Sequence, residues 1–131
     1  MVETGSKAGL QAVKSYRDLI VWKRSIELSL SIYRLTSAVP KSELYGLVSQ
    51  LRRASVSVAS NIAEGHGRLT TGEYKHFLGL SRGSLGEVQT QLVIARELGF
   101  SQPADIDHCE GLSNEVGKML NATIVKLRAN P

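Results

Sequence analysis

Residues 44–64, LYGLVSQLRRASVSVASNIAE, place Leu44, Val48, Leu51, Ser55, Val58 and Ile62 at alternating spacings of four and three. That repeat marks a helix that buries one narrow seam against other helices. A polar stripe at the same spacing, Gln50, Arg53, Ser57, Asn61 and Glu64, runs beside the seam, so one rod carries two chemically different faces. Ser42 or Lys41 opens the segment, and Glu64-Gly65-His66-Gly67 closes it. Gly65 or Gly67 suits the left-handed residue that often follows a helix, which gives a helix over 43–64.

Working outward, Thr70-Thr71-Gly72-Glu73 matches a capping box. Tyr74, Leu78, Ser81, Leu85, Val88, Leu92 and Ala95 then carry the spacing to Leu98, where Gly99 supplies the stop. Pro103 opens a further helix with Asp105 and Asp107 in its first turn and Lys126 and Arg128 in its last, charges that complement the helix dipole. Its predicted buried face is Ile106, Cys109, Leu112, Val116, Met119, Thr123 and Leu127. Upstream, a segment N-capped by Asp18 sets Leu19, Trp22, Ile26, Leu30 and Tyr33 on one face and stops at Val39-Pro40. Residues 1–15 are small and polar without periodicity, and read as a flexible extension to a bundle domain over 16–131. Four helices of about 20 to 27 residues with links of about 3 to 7 predict an all-α, antiparallel up-down-up-down four-helix bundle.

Composition narrows function by exclusion. At 131 residues the chain holds one domain, and 5% aromatics disfavour a surface that stacks splayed bases. No apolar run approaches the roughly 20 residues of a membrane span, and none of the first fifteen residues forms a secretory signal, so no membrane partner and a cytoplasmic location are expected. Cys109 stands alone, and His66, His76 and His108 lack the spacing that puts two ligands on one helical face, so no metal or other cofactor is expected. His108 and Cys109 are adjacent and point about 100° apart on a helix, which separates thiol from imidazole. No serine sits in a nucleophile elbow, and no enzymatic activity is expected.

Three features break helix rules or exceed them. Gly79, Gly83 and Gly86 interrupt the third helix, with Ser81 and Ser84 between them, at a cost of roughly 1 kcal/mol per glycine. Compensation comes from tight packing, within the bundle or against another subunit, or from a ligand approaching the bare backbone. A hairpin centred near Arg68 pairs residue numbers that sum to about 137, setting Arg53 opposite Ser84 and Gln50 opposite Glu87. A polar pair such as Arg53 and Glu87 then fixes register, or serves a nucleic acid or ligand. Finally, Val21, Leu28, Ile32 and Leu35 form an extra apolar row on the first helix, and Leu92, Val93, Ile94 and Ala95 encircle the third; a surplus of this kind predicts self-association.

The formal charge is +4, and residues 16–100 hold 11 Lys/Arg against 7 Asp/Glu while residues 101–131 hold 3 against 4. Arg52, Arg53, Arg68, Lys75, Arg82 and Arg96 fall on the second and third helices and their turn. Each reads as ordinary solvated charge or as a phosphate contact of the kind that positions RNA or DNA without reading bases. Arg52 and Lys75, and to a lesser degree Arg82, are the first candidates.

The string Gln50-Leu51-Arg52-Arg53-Ala54-Ser55, continued by Val58-Ala59-Ser60-Asn61-Ile62-Ala63-Glu64-Gly65-His66-Gly67-Arg68, resembles the central signature of small bacterial four-helix bundle proteins encoded in intervening sequences of large-subunit ribosomal RNA genes. Leu19-Ile20-Val21-Trp22, Tyr33-Arg34-Leu35-Thr36 before Pro40, and Gly83-Ser84-Leu85-Gly86-Glu87 resemble it as well. The resemblance marks Gln50, Asn61, Glu64, Gly65, Gly83, Ser84 and Glu87 as the structural motif. It implies a homopentameric ring, and kinship with the accessory variability protein of diversity-generating retroelements, which partners a reverse transcriptase and its template RNA. The expectation is a non-enzymatic pentamer that binds nucleic acid weakly, without sequence preference, or assists a nucleic-acid-handling enzyme; the alternative is a protein-interaction scaffold.

Overall fold

The computed structural model describes residues 13–129, and the side chain of Leu44 lies outside that description. Among the described residues there are four long helices and no strand: α1 Ile20–Thr36, α2 Ser49–His66, α3 Thr71–Leu98 and α4 Pro103–Ala129. They form an all-α four-helix bundle whose core runs along its length, from Leu19 and Leu78 through Leu28, Val58 and Val116 to Leu92 and Ile106. For residues 1–12 the reading as a flexible extension lies outside the described residues. Residues 13–15 join the fold: Val13 packs against the core, and Ser15 and Asp18 form a capping box around the short 3-10 turn Tyr16–Asp18. Asp18 is therefore not the N-cap of α1, a position that Leu19 holds without a side-chain bond.

The helix ends are written largely in local chemistry. Thr70 caps α3 by accepting from the Glu73 N–H at 3.1 Å, and Gly99 closes it in the left-handed region at φ 70°. Gly99 is the only described residue with positive φ, so the left-handed role expected at Gly65 or Gly67 is corrected. Gly67 is right-handed at φ −81°, and α2 runs on through Gly65, which is buried inside it. Ahead of α2 the chain takes a 3-10 turn, Lys41–Glu43, and a π-helical turn, Leu44–Val48, with Gly46 off the helical region; the regular helix starts six residues later than expected.

The seam of α2 is as predicted, with Val48, Leu51, Ser55, Val58 and Ile62 buried. That of α3 is buried from Leu78 to Ala95, with Tyr74 half-buried. On α1 the expected face is corrected. The row taken as surplus, Val21, Leu28, Ile32 and Leu35, is the core, while Leu30 and Tyr33 are exposed. Serine and threonine hid this face, because Ser25 and Thr36 are buried yet satisfied by their own helix: each hydroxyl donates to the carbonyl four residues back at 2.7 Å. On α4, Ile106, Cys109 and Val116 are buried as expected, and the deeper row continues through Ser113, Leu120 and Ile124 instead of Leu112, Met119 and Leu127.

Candidate nucleic-acid interface

The flank of α3 that meets α2 is built from small residues. Gly65 lies so close to α3 that a Cβ there would stand 2.7 Å from the Cβ of Phe77. Farther along, Ser81 Oγ donates to the Val58 carbonyl at 2.7 Å, and Ser84 Oγ donates to Ser57 Oγ at 2.9 Å. Asn61 Nδ2 donates to both the carbonyl and the hydroxyl of Ser57 at 2.9 Å, completing a half-buried chain of polar groups. The contacting numbers sum to 139–142 and not 137, because Thr70 is extended (φ −120°, ψ 151°) and makes the turn asymmetric about Arg68. Gln50 is thereby matched with Gln91, and Arg53 with Glu87.

Past the Ser57–Ser84 contact the outer side of this interface opens into a cavity of about 360 Å³ lined by Gln50, Arg53, Ala54, Ser57, Glu87 and Gln91. Arg53 and Glu87 share the cavity but form no ion pair, so the expected register-fixing bridge is absent among the described residues. Packing of Gly79, Gly83 and Gly86 inside the bundle is also corrected: a Cβ at any of them would meet nothing within 4 Å. These glycines look outward, and Gly65, whose role was read as helix termination, is the close-approach glycine.

The six candidate cations do not form one patch. Arg52 is half-buried against α1, where Nε donates to Thr36 Oγ1 at 2.9 Å and the guanidinium lies 4.7 Å from the Tyr33 ring centre. Arg68 staples the turn, pairing with Glu64 at 3.4 Å and Glu73 at 3.1 Å over the Phe77 ring. Arg53 faces the α2–α3 cavity. The remaining three, Lys75, Arg82 and Arg96, fall on one seven-residue repeat, with Gln89 at the position between the last two, along the flank of α3 that meets α4.

On that flank the cross-helix contacts form a ladder. Arg96 pairs with Asp107 and with Glu110, both at 2.6 Å; these two carboxylates hold its charged form more firmly than usual. Gln89 reaches Asn114 at 3.5 Å, and Arg82 donates to Asn121 at 3.1 Å. In the pairs 96/107, 89/114 and 82/121 the numbers sum to 203, and continuing that register by one more rung puts Lys75 level with Arg128. One seam therefore passes from a neutralised arginine through an amide rung and a cation–amide rung to two cations, with rungs about 10.5 Å apart. Neither Lys75 nor Arg128 has an ion-pair partner among the described residues. Arg128 was read only as a dipole charge; the 75/82/89/96 repeat was the signal that could have found its neighbours.

α4 itself is polarised. Asp105, Asp107, Glu110 and Glu115 occupy its first half, and Lys118, Lys126 and Arg128 its second. Cys109 is buried, and desolvation first, with Asp105 and Glu110 adding, pushes its thiol up to about 11, which keeps it protonated and inert near neutrality. Among the described residues no three His, Cys, Asp or Glu side chains cluster as a metal site, and no helix is long and apolar enough to cross a membrane.

Fold and surface together define an all-α bundle with Lys75, Arg82 and Arg128 toward one end of its α3–α4 seam. The family model for 23S rRNA-intervening sequence proteins matches residues 17–122, and the chain belongs to that family. Among solved structures, it is similar to a protein of unknown function of the S23 ribosomal protein family from Bacteroides thetaiotaomicron. The TM-score is 0.75 at 19% identity, over 80% of this chain and 98% of that one. We find no match among curated proteins.

Proposed function

We propose that the chain is an antiparallel up-down-up-down bundle that assembles into a homopentameric ring, has no enzymatic activity, and holds RNA or DNA weakly by its phosphates, or does so as accessory to a nucleic-acid-handling enzyme such as a reverse transcriptase. The uncompensated end of the α3–α4 seam, Lys75, Arg82 and Arg128, carries this reading. In the antiparallel arrangement residues 13–28, 58–84 and 117–129 share one half of the bundle, with 10 Lys/Arg against 4 Asp/Glu, and the other half has 5 against 7. Separation of charge on this scale favours phosphate backbones at one end and repels them at the other. Arg52, Arg68 and Arg96, already engaged by Thr36, Glu64, Glu73, Asp107 and Glu110, rank below Lys75, Arg82 and Arg128 as contacts.

Ring formation is supported by two unlike apolar surfaces. One is the outward face of α3, with Leu80, Val93 and Ile94 exposed beside the open Gly79, Gly83 and Gly86. The other is a groove of about 280 Å³ between α1 and α2 that includes Trp22, Ile26, Val56 and Ala59. Unlike surfaces pair head to tail, and a head-to-tail contact closes into a ring when its rotation permits.

Binding of a labelled single-stranded RNA, followed by fluorescence anisotropy, tests the nucleic-acid role. Affinity in the range of about 1–10 μM at 50 mM salt, falling steeply by 200 mM, is expected; no binding at 50 mM salt contradicts it. Light scattering tests assembly: a mass near five chains is expected, with Gly83→Leu shifting it toward one, and a single-chain mass for the unaltered protein at micromolar concentration refutes the ring. The same apolar surfaces favour a second reading, a scaffold for another protein, which predicts a partner that stays bound after nuclease treatment.

A further inference from the structure

The cavity between α2 and α3 lies apart from the α3–α4 seam proposed for phosphate, and its chemistry is of a different kind. It lies where the small-residue contacts of the interface end, and at about 360 Å³ it is within the size range of small-molecule sites. On the α2 side stand Arg53 and Gln50; on the α3 side stand Glu87 and Gln91, one helical turn apart. Ser57 at its base is already occupied by Ser84 and Asn61. The two opposite charges share the cleft and leave each other unpaired among the described residues.

The lining excludes several occupants. A phosphate or other simple anion would meet Glu87, and a simple cation would meet Arg53. A nucleobase needs an apolar or aromatic plate for its flat face, and Ala54 is the only apolar residue lining the cavity. What matches is a molecule carrying an anionic fork acceptor and a multiple N–H donor close together. We infer that this cleft binds a free α-amino acid, its carboxylate on the Arg53 guanidinium and its ammonium on the Glu87 carboxylate. The guanidinium fork suits a carboxylate in two parallel bonds, and the ammonium supplies donors to the Glu87 carboxylate, which is acceptor-only. Gln50 adds an amide at the level of Gln91, which favours a polar side chain on the ligand.

Two-dimensional amide NMR of the full-length protein, titrated with L-glutamine, L-glutamate, L-arginine and glycine, tests this. At least one is expected to shift the side-chain amide signals of Gln50 and Gln91 with a dissociation constant of about 0.1–1 mM. N-acetylation of that ligand, or conversion of its carboxylate to an amide, should each weaken binding at least tenfold, as should Arg53→Gln and Glu87→Gln. Both residues are exposed and outside any ion pair, so melting of the two variants should match that of the parent, and equal weakening with intact melting supports the site. The inference is overturned if none of the four shifts those signals up to 10 mM, if the N-acetylated ligand binds as well as the free one, or if guanosine monophosphate binds there in their place. RNA affinity, which rests on Lys75, Arg82 and Arg128, should not fall in Glu87→Gln, so this site and the phosphate surface can fail independently.

Discussion

The two flanks of α3 solve opposite problems. Toward α2 the contact uses glycine and serine, Gly65 and Ser57 on α2 with Ser81 and Ser84 on α3, to bring two backbones together and hydrogen-bond the hydroxyls in the gap. Toward α4 it uses long side chains every seventh residue, paired at the Arg96 end and unpaired at the Lys75 end. The first flank is buried and sets how close the helices lie; the second is solvated and contributes little to stability, which leaves its charge free for a partner. Stability and recognition are thus divided between two sides of one rod.

If that division is right, substitutions should rank by flank. The largest effect is expected for Gly65→Ala, whose new Cβ collides with the root of the Phe77 side chain, a point that cannot swing away. Overpacking of about 2–3 kcal/mol, offset by about 1 kcal/mol of helix preference, predicts a net loss near 1–2 kcal/mol in urea unfolding. Unchanged stability would show that α2 and α3 are not in close contact there. Ser81→Ala removes a buried hydroxyl that donates across the same flank and should cost about 1 kcal/mol. On the α4 flank, Arg96→Ala removes two ion pairs, yet Arg96 keeps about a third of its side chain exposed, so a loss under about 1 kcal/mol that shrinks further in 0.5 M salt is expected. A loss for Arg96→Ala larger than that for Gly65→Ala would reverse the comparison.

Much of this was legible in the sequence, and what was not has a physical cause. The seam of α2, the Thr70 cap, the Gly99 stop and the Pro103 start rest on local stereochemistry and needed no tertiary information. The buried face of α1 escaped because counting apolar residues penalises serine and threonine, although a hydroxyl bonded to its own helix, as at Ser25 and Thr36, can be buried. Glycine was ambiguous in another way: the same residue type serves close approach at Gly65, chain reversal at Gly99 and an open outer face at Gly83, and only the neighbours in space tell these apart. Lys75, Arg82 and Arg96 were found as charges, but their order along one seam depends on the α3–α4 register, and the α2 repeat carries no information about that register. Arg52 looked available for phosphate for the same reason, since nothing local to it announces Thr36 and Tyr33.

The central claim is that the unpaired end of the α3–α4 seam, not basic charge in general, receives the polyanion. Comparing Lys75→Glu with Arg96→Glu in one RNA-binding titration at 50 mM salt tests it most directly, because both reverse one charge on the same helix. The account predicts at least a tenfold weakening and a shallower salt dependence for Lys75→Glu, with less than a threefold change for Arg96→Glu. Equal weakening by the two, or none by Lys75→Glu, would contradict it.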